Sequence, residues 1–125
     1  GNTGPYILYT IVRIKSILNK YKEAGKEAGT AAILPAHSES EKALMLELTR
    51  FNAMMENAYE ETAPHKVCSY IYDLANALNH FYHETKILAE EDAGKQKSYI
   101  ALLKVTKDVL EACIDVLGFE APERM

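Results

Sequence analysis

Apolar residues along this chain recur at steps of three and four rather than alternating, the period of helices that bury one face. Glycine and proline cut the pattern into four blocks. The first, from about Pro5 to Ala24, sets Ile7, Ile11, Ile14, Leu18 and Tyr21 on a single face. Pro5 stands where a first-turn proline belongs, and Gly25 where the helix should stop. Residues 26–38 hold Gly29, Pro35 and a thin run of alanines, and are expected to form a loop. Ser38 or Ser40 can cap the second block; of the two, Ser38 has a glutamate, Glu41, at the spacing of a capping box.

The second block, Glu39 to Glu61, carries Leu44, Leu48, Phe51, Met55 and Ala58 and predicts one continuous amphipathic helix. Thr62 is placed to cap the third, Pro64 to Leu88, whose stripe is Val67, Ile71, Leu74, Leu78 and Phe81, thickened by Tyr70, Ala77 and Tyr82. Residues 88–95, with Glu90, Glu91, Asp92 and Gly94, read as an acidic, solvated connection. The fourth block, Lys95 to Leu117, carries Tyr99, Leu102, Leu103, Thr106, Val109, Leu110, Cys113 and Leu117; Gly118 and Pro122 then end it. About four main helices, each with a stripe wide enough for two neighbours, predict an all-α bundle in a single domain over residues 1–125.

Composition narrows the class. With 48% hydrophobic residues in 125, the chain can bury a core that a disordered segment could not. No apolar run approaches the roughly 20 residues that span a bilayer, and no signal peptide opens the chain, so a soluble, cytoplasmic protein without a membrane partner is expected. Cys68 and Cys113 are isolated and read as small buried residues. His80 and His83 share a helical face beside Glu84, a spacing that could in principle hold a metal. It is not the zinc-peptidase spacing, and solvated surface histidines account for it more simply, so no metal and no catalytic residue is expected. The run Glu90, Glu91 and Asp92 lacks a calcium-loop pattern and reads as solvated acid.

The first block holds a second strip. Tyr6, Tyr9 and Arg13 fall at steps of three and four on a face apart from the isoleucines, an arrangement suited to stacking unpaired bases with a guanidinium near a phosphate. Tyrosines that merely cover the bundle would show the same spacing. Charge shifts that weighing. The net charge of −4 argues against gripping nucleic acid by bulk charge. Yet residues 1–26 hold five bases against one acid, +4, while the remaining residues hold nine bases and 17 acids, −8. A basic, aromatic helix on an acidic body favours a local RNA contact.

Three segments then resemble a known family. Gly4-Pro5-Tyr6-Ile7-Leu8-Tyr9-Thr10 followed by Arg13-Ile14-Lys15-Ser16-Ile17-Leu18 is similar to the first helix of the anticodon-binding (DALR-type) domain of arginyl-tRNA synthetases. Pro64-His65-Lys66-Val67-Cys68-Ser69-Tyr70-Ile71-Tyr72-Asp73-Leu74-Ala75, continuing to Phe81-Tyr82, resembles a middle helix of that domain. Val116-Leu117-Gly118-Phe119-Glu120-Ala121-Pro122-Glu123-Arg124-Met125 looks like its C-terminus. The three come in the family's order and cover essentially the whole chain.

The resemblance implies the helical C-terminal domain of a class I synthetase that reads the anticodon loop of tRNA(Arg). By motif, Tyr6, Tyr9, Arg13, Tyr82 and Met125 are the implied RNA-binding residues. Leu8 stands where many members carry Gln, and Ile11 where many carry His or an aromatic residue, so no hydrogen bond is expected from either. The ATP-holding signatures of the class are absent from these 125 residues. The domain is therefore expected to need no cofactor and to work beside an ATP-using catalytic domain of the same polypeptide. The missing initiator Met fits a fragment of that longer chain. A helical protein-interaction bundle using the same strip is the alternative that the residues alone leave open.

Overall fold

The structure, a computed structural model, describes residues 3–26, 33–61 and 64–117. Thr62, Gly118, Pro122 and Met125 lie outside these residues. Among the described residues five helices run in order: α1 (Thr3–Glu23), α2 (Glu39–Thr49), α3 (Phe51–Glu61), α4 (Pro64–Glu84) and α5 (Ala93–Leu117). Among the described residues there is no strand, so the all-α bundle expected from the periodicity is the fold. None of the described helices is long and apolar enough to cross a membrane.

α4 is the central element and packs against every other helix, while α1 lies in the angle between α4 and α5. The five stripe residues of α4, Val67, Ile71, Leu74, Leu78 and Phe81, are all buried, together with Tyr70. They meet Ile7, Ile11, Ile14 and Tyr21 of α1, Leu44 of α2, and Tyr99, Leu102, Leu103, Leu110 and Cys113 of α5 in one core. Each such side chain gains about 1.5–3 kcal/mol on leaving water, the main favourable contribution to the bundle. On α1 the stripe shifts slightly: Ile17 is buried and Leu18 only partly so. Cys113 is buried and Cys68 half-buried.

Helix ends obey local chemistry. Gly25 has φ 81° and donates its N–H to the Lys22 carbonyl, while Lys26 N–H reaches the Tyr21 carbonyl. This is the paired closure in which a left-handed glycine satisfies the last free carbonyls of a helix. Ser38 caps α2, its side chain accepting from Glu41 N–H at 3.2 Å. The return half of the capping box goes elsewhere: the buried Glu41 carboxylate accepts from His37 N–H at 2.7 Å and lies 3.2 Å from His37 Nδ1. Asp92 caps α5 by accepting from Lys95 N–H, and Glu90 accepts from Asp92 N–H, so part of the acidic run serves a helix start.

Several boundaries differ from the periodic reading. The block read as one helix from Glu39 to Glu61 is divided at Arg50. There Thr49 Oγ1 donates back to the Leu46 carbonyl, and the Glu47 carbonyl is taken by Arg50 N–H and by Tyr70 OH, which replaces the helical ladder for one residue. α4 ends at Glu84 rather than Leu88, and α5 begins at Ala93 rather than Lys95. Ile87 is buried from a turn, not from a helix, which is why the apolar pattern ran past the true end.

Candidate nucleic-acid interface

The apolar stripes of α1 and α4 press these helices together, and at their seam polar residues replace the core. From α1 come Tyr6, Thr10 and Arg13, three positions on one face. From α4 come Asn76 and Asn79. Asn79 is buried; its Nδ2 donates to Tyr6 OH at 3.1 Å and to Thr10 Oγ1 at 2.9 Å. Its Oδ1 accepts from Arg13 Nη1 at 2.6 Å. Tyr6 OH in turn donates to Asn76 Oδ1 at 2.6 Å, and Thr10 Oγ1 donates to the Tyr6 carbonyl at 2.9 Å.

Arg13 stands at the outer edge of this network. Its guanidinium carbon lies 4.1 Å from the centre of the Tyr82 ring and 4.7 Å from that of Tyr9, and Nη2 donates to Tyr9 OH. Tyr82, Arg13 and Tyr9 therefore make one continuous stacked layer, joined by cation–π attraction. Tyr9 remains 54% exposed, so it offers aromatic surface to a further planar group. Two of the five guanidinium donors are spent on Asn79 and Tyr9, leaving three that can meet a phosphate or a base edge.

The layer forms one lip of an open groove of about 690 Å³ between α1 and the turn after α4. Val12, Ser16 and Lys20 continue the α1 wall, and Lys86, Ile87 and Leu88 supply the other. Buried Gln96 of α5 holds that turn: its Nε2 donates to the Ile87 and Leu88 carbonyls at 3.0 and 3.1 Å, and its Oε1 accepts from Lys26 Nζ at 2.8 Å. The basic excess of the first 26 residues thus divides. Lys26 is tied to Gln96, and Lys15 pairs with Glu111 at 3.5 Å; Arg13 and Lys20 face the groove, where Lys86 joins them. The chemistry on offer is cationic and aromatic, suited to an anionic ligand with planar rings.

Four of the five residues singled out from the sequence can be placed. Tyr9, Arg13 and Tyr82 come together in the layer and line the groove. Tyr6 sits beside them but half-buried, with its hydroxyl engaged and its ring 5.6 Å from that of Tyr72. Met125 lies outside the described residues. Leu8 is half-buried and Ile11 is part of the core, so neither offers a polar contact. His80 pairs with Glu84 at 3.3 Å, while His83 packs edge-on against Tyr82 at the groove. Among the described residues no three His, Cys, Asp or Glu side chains gather to hold a metal ion.

Sequence reasoning missed Tyr72, Asn76, Asn79 and Lys86, while Lys20 belongs to the basic excess it found in the first 26 residues. A signal was present on α4, where Tyr72, Asn76, Asn79 and His83 recur at steps of four, three and four beside the apolar stripe. Tyr72 is 46% exposed and extends the aromatic surface past Tyr6.

The family model described as the DALR anticodon binding domain matches residues 7–125. An arginine–tRNA ligase of Agathobacter rectalis is 64% identical over 127 residues, and one of Alkaliphilus oremlandii 51% identical over 125; each alignment covers 100% of this chain and 21% of the relative. An arginine–tRNA ligase of Francisella tularensis is 40% identical over 129 residues, covering 100% of this chain and 22% of the relative. The chain spans about a fifth of the length of the curated relatives it matches. With a family model that matches from the start of the α1 stripe onward and relatives alike along the whole chain, this protein belongs to the DALR anticodon binding domain family.

Proposed function

We propose that the chain is the tRNA-binding module of an arginine–tRNA ligase and holds the anticodon loop of tRNA(Arg) on the α1–α4 seam. The observation that carries this reading is the Tyr82–Arg13–Tyr9 layer at the lip of a groove that also presents Lys20 and Lys86. An unpaired base stacks on the open side of Tyr9, contributing about 1–3 kcal/mol. Arg13 keeps its charge beside that base, and the two lysines meet the neighbouring backbone phosphates. Tyr6 supports the layer through Asn79 rather than offering its hydroxyl, and Met125 is a further RNA contact on the family resemblance alone.

In this reading the ligation of arginine to tRNA, with its ATP, belongs to a catalytic domain of the same polypeptide, beside which this domain works in the cytoplasm. The names of the relatives support the arginine system. The test is titration of the chain with an arginine anticodon stem-loop and with one whose central anticodon base is changed. Tighter binding of the first, reduced about tenfold or more by Tyr9→Ala, is expected from the loss of one stacking platform. Equal affinity for both loops, or an unaffected Tyr9→Ala, refutes recognition at this site and returns the strip to a protein partner.

A further inference from the structure

We propose that Asn79 is a positioning residue for RNA recognition: it fixes the Arg13 guanidinium between Tyr9 and Tyr82. The inference rests on the function proposed above and concerns which buried group makes the stacked layer a rigid surface. Asn79 is 8% exposed and lies on α4 among apolar neighbours such as Leu78 and Ala75. An aliphatic side chain would fill that space without the cost of desolvating an amide. The amide instead spends its hydrogen bonds entirely on α1, at Tyr6, Thr10 and Arg13, which are spaced by four and three.

The division of those bonds is informative. Nδ2 serves two hydroxyls that have other partners as well, Tyr6 OH on Asn76 and Thr10 Oγ1 on the Tyr6 carbonyl. Oδ1 is given to Arg13 alone at 2.6 Å. Among the described residues it is the one hydrogen bond that ties Arg13 across to α4; the other goes to Tyr9, one turn back on its own helix. Without Asn79 the guanidinium keeps its face on Tyr82 and its bond to Tyr9 but loses its one directional tie to α4, and it gains freedom to turn in its plane. Held by Tyr9 and Asn79 together, it is fixed against Tyr82, and the remaining donors keep one direction before any ligand arrives. Such preorganisation raises affinity by removing the ordering cost from the binding step.

Two variants separate positioning from stability. Asn79→Ala removes the acceptor and is expected to weaken stem-loop binding about tenfold, the loss of one charged hydrogen bond. In an Arg13→Ala background the same change should cost nothing further, because its effect runs through Arg13. Asn79→Asp keeps an acceptor for Arg13 but loses both amide donors. It should unfold at lower denaturant and still bind within about threefold of wild type, since Arg13 stays paired. Additive losses in the double variant, or affinity that falls with stability in Asn79→Asp, overturn the proposal. Should Asn79→Ala not fold, Asn79→Asp decides alone. Should the unaltered chain bind no stem-loop, the functional reading fails, and the Arg13 guanidinium resonances decide the geometry. Distinct, slowly exchanging signals in wild type that persist in Asn79→Asp and merge in Asn79→Ala, with Tyr9 and Tyr82 signals moving too, sustain it; merged signals in wild type, or signals that merge in Asn79→Asp, refute it.

Discussion

If Arg13, Lys20 and Lys86 are the cations that meet RNA phosphates, their number sets how binding weakens with salt. Replacing Lys20 and Lys86 by glutamine removes two charges while keeping a polar, unbranched side chain, and both residues are exposed, so the core is untouched. Each phosphate neutralised on a single strand releases about 0.7 of a counterion, so three contacts give a slope near −2 in log affinity against log salt. From about 50 to about 200 mM KCl the unaltered chain should lose about 20-fold in affinity, whereas K20Q/K86Q, left with Arg13, should lose about threefold. Fluorescence anisotropy with a labelled anticodon stem-loop at four salt concentrations measures both slopes. Discrimination at the central base should be unchanged, because phosphate contacts position the RNA without reading it. A slope near −2 in the double variant would place the phosphate contacts elsewhere on the chain and refute the groove as the backbone path.

The fold itself sets further expected outcomes. Ser38→Ala deletes the cap of α2 and should cost about 1 kcal/mol, visible as a lower urea midpoint at unchanged m-value. Gln96→Leu strips the Ile87 and Leu88 carbonyls and Lys26 of their shared partner; a loss of about 1–3 kcal/mol is expected, with faster amide exchange in the 85–92 turn. Phe81→Ala, in the centre of the core, should cost about 3–5 kcal/mol by denaturant unfolding. Burial pushes the Cys113 thiol up to about 11, and burial with the nearby Cys113 and Glu47 raises the Tyr70 phenol above its ordinary value. The folded chain then holds these protons more tightly than the unfolded one. Stability is full below the ordinary thiol value and declines as pH climbs through about 11, with Tyr70 extending the decline further. A urea midpoint that stays level from about pH 8 to about pH 11 would contradict this linkage.

What could be read from the sequence was local. The α1 stop at Gly25, the Ser38 cap and the α4 stripe each depend on residues within a turn or two of one another, so spacing alone exposes them. Tyr9 and Arg13 became visible for the same reason, four apart on one helix. The break at Arg50 depends in part on Tyr70, 23 residues beyond the carbonyl it takes. Asn79 reaches α1 over sequence separations of 66 to 73, and the polar strip it belongs to on α4 does not say which helix that strip meets. The groove was hidden because its second wall is a turn, held by a glutamine of the next helix. Charge counting found the basic helix but not which charges face outward together, since Lys15 and Lys26 are committed to Glu111 and Gln96.

The central claim, that an anticodon loop lies on the α1–α4 seam, is tested most directly by mapping NMR shifts while an arginine anticodon stem-loop is added to the chain. Perturbations should gather on the Tyr9 and Tyr82 rings, the Arg13 guanidinium and the amides around Lys20 and Lys86, and spare the α2–α3 junction. Shifts centred on the α2–α3 junction or the exposed face of α5, or none at saturating RNA, would contradict it.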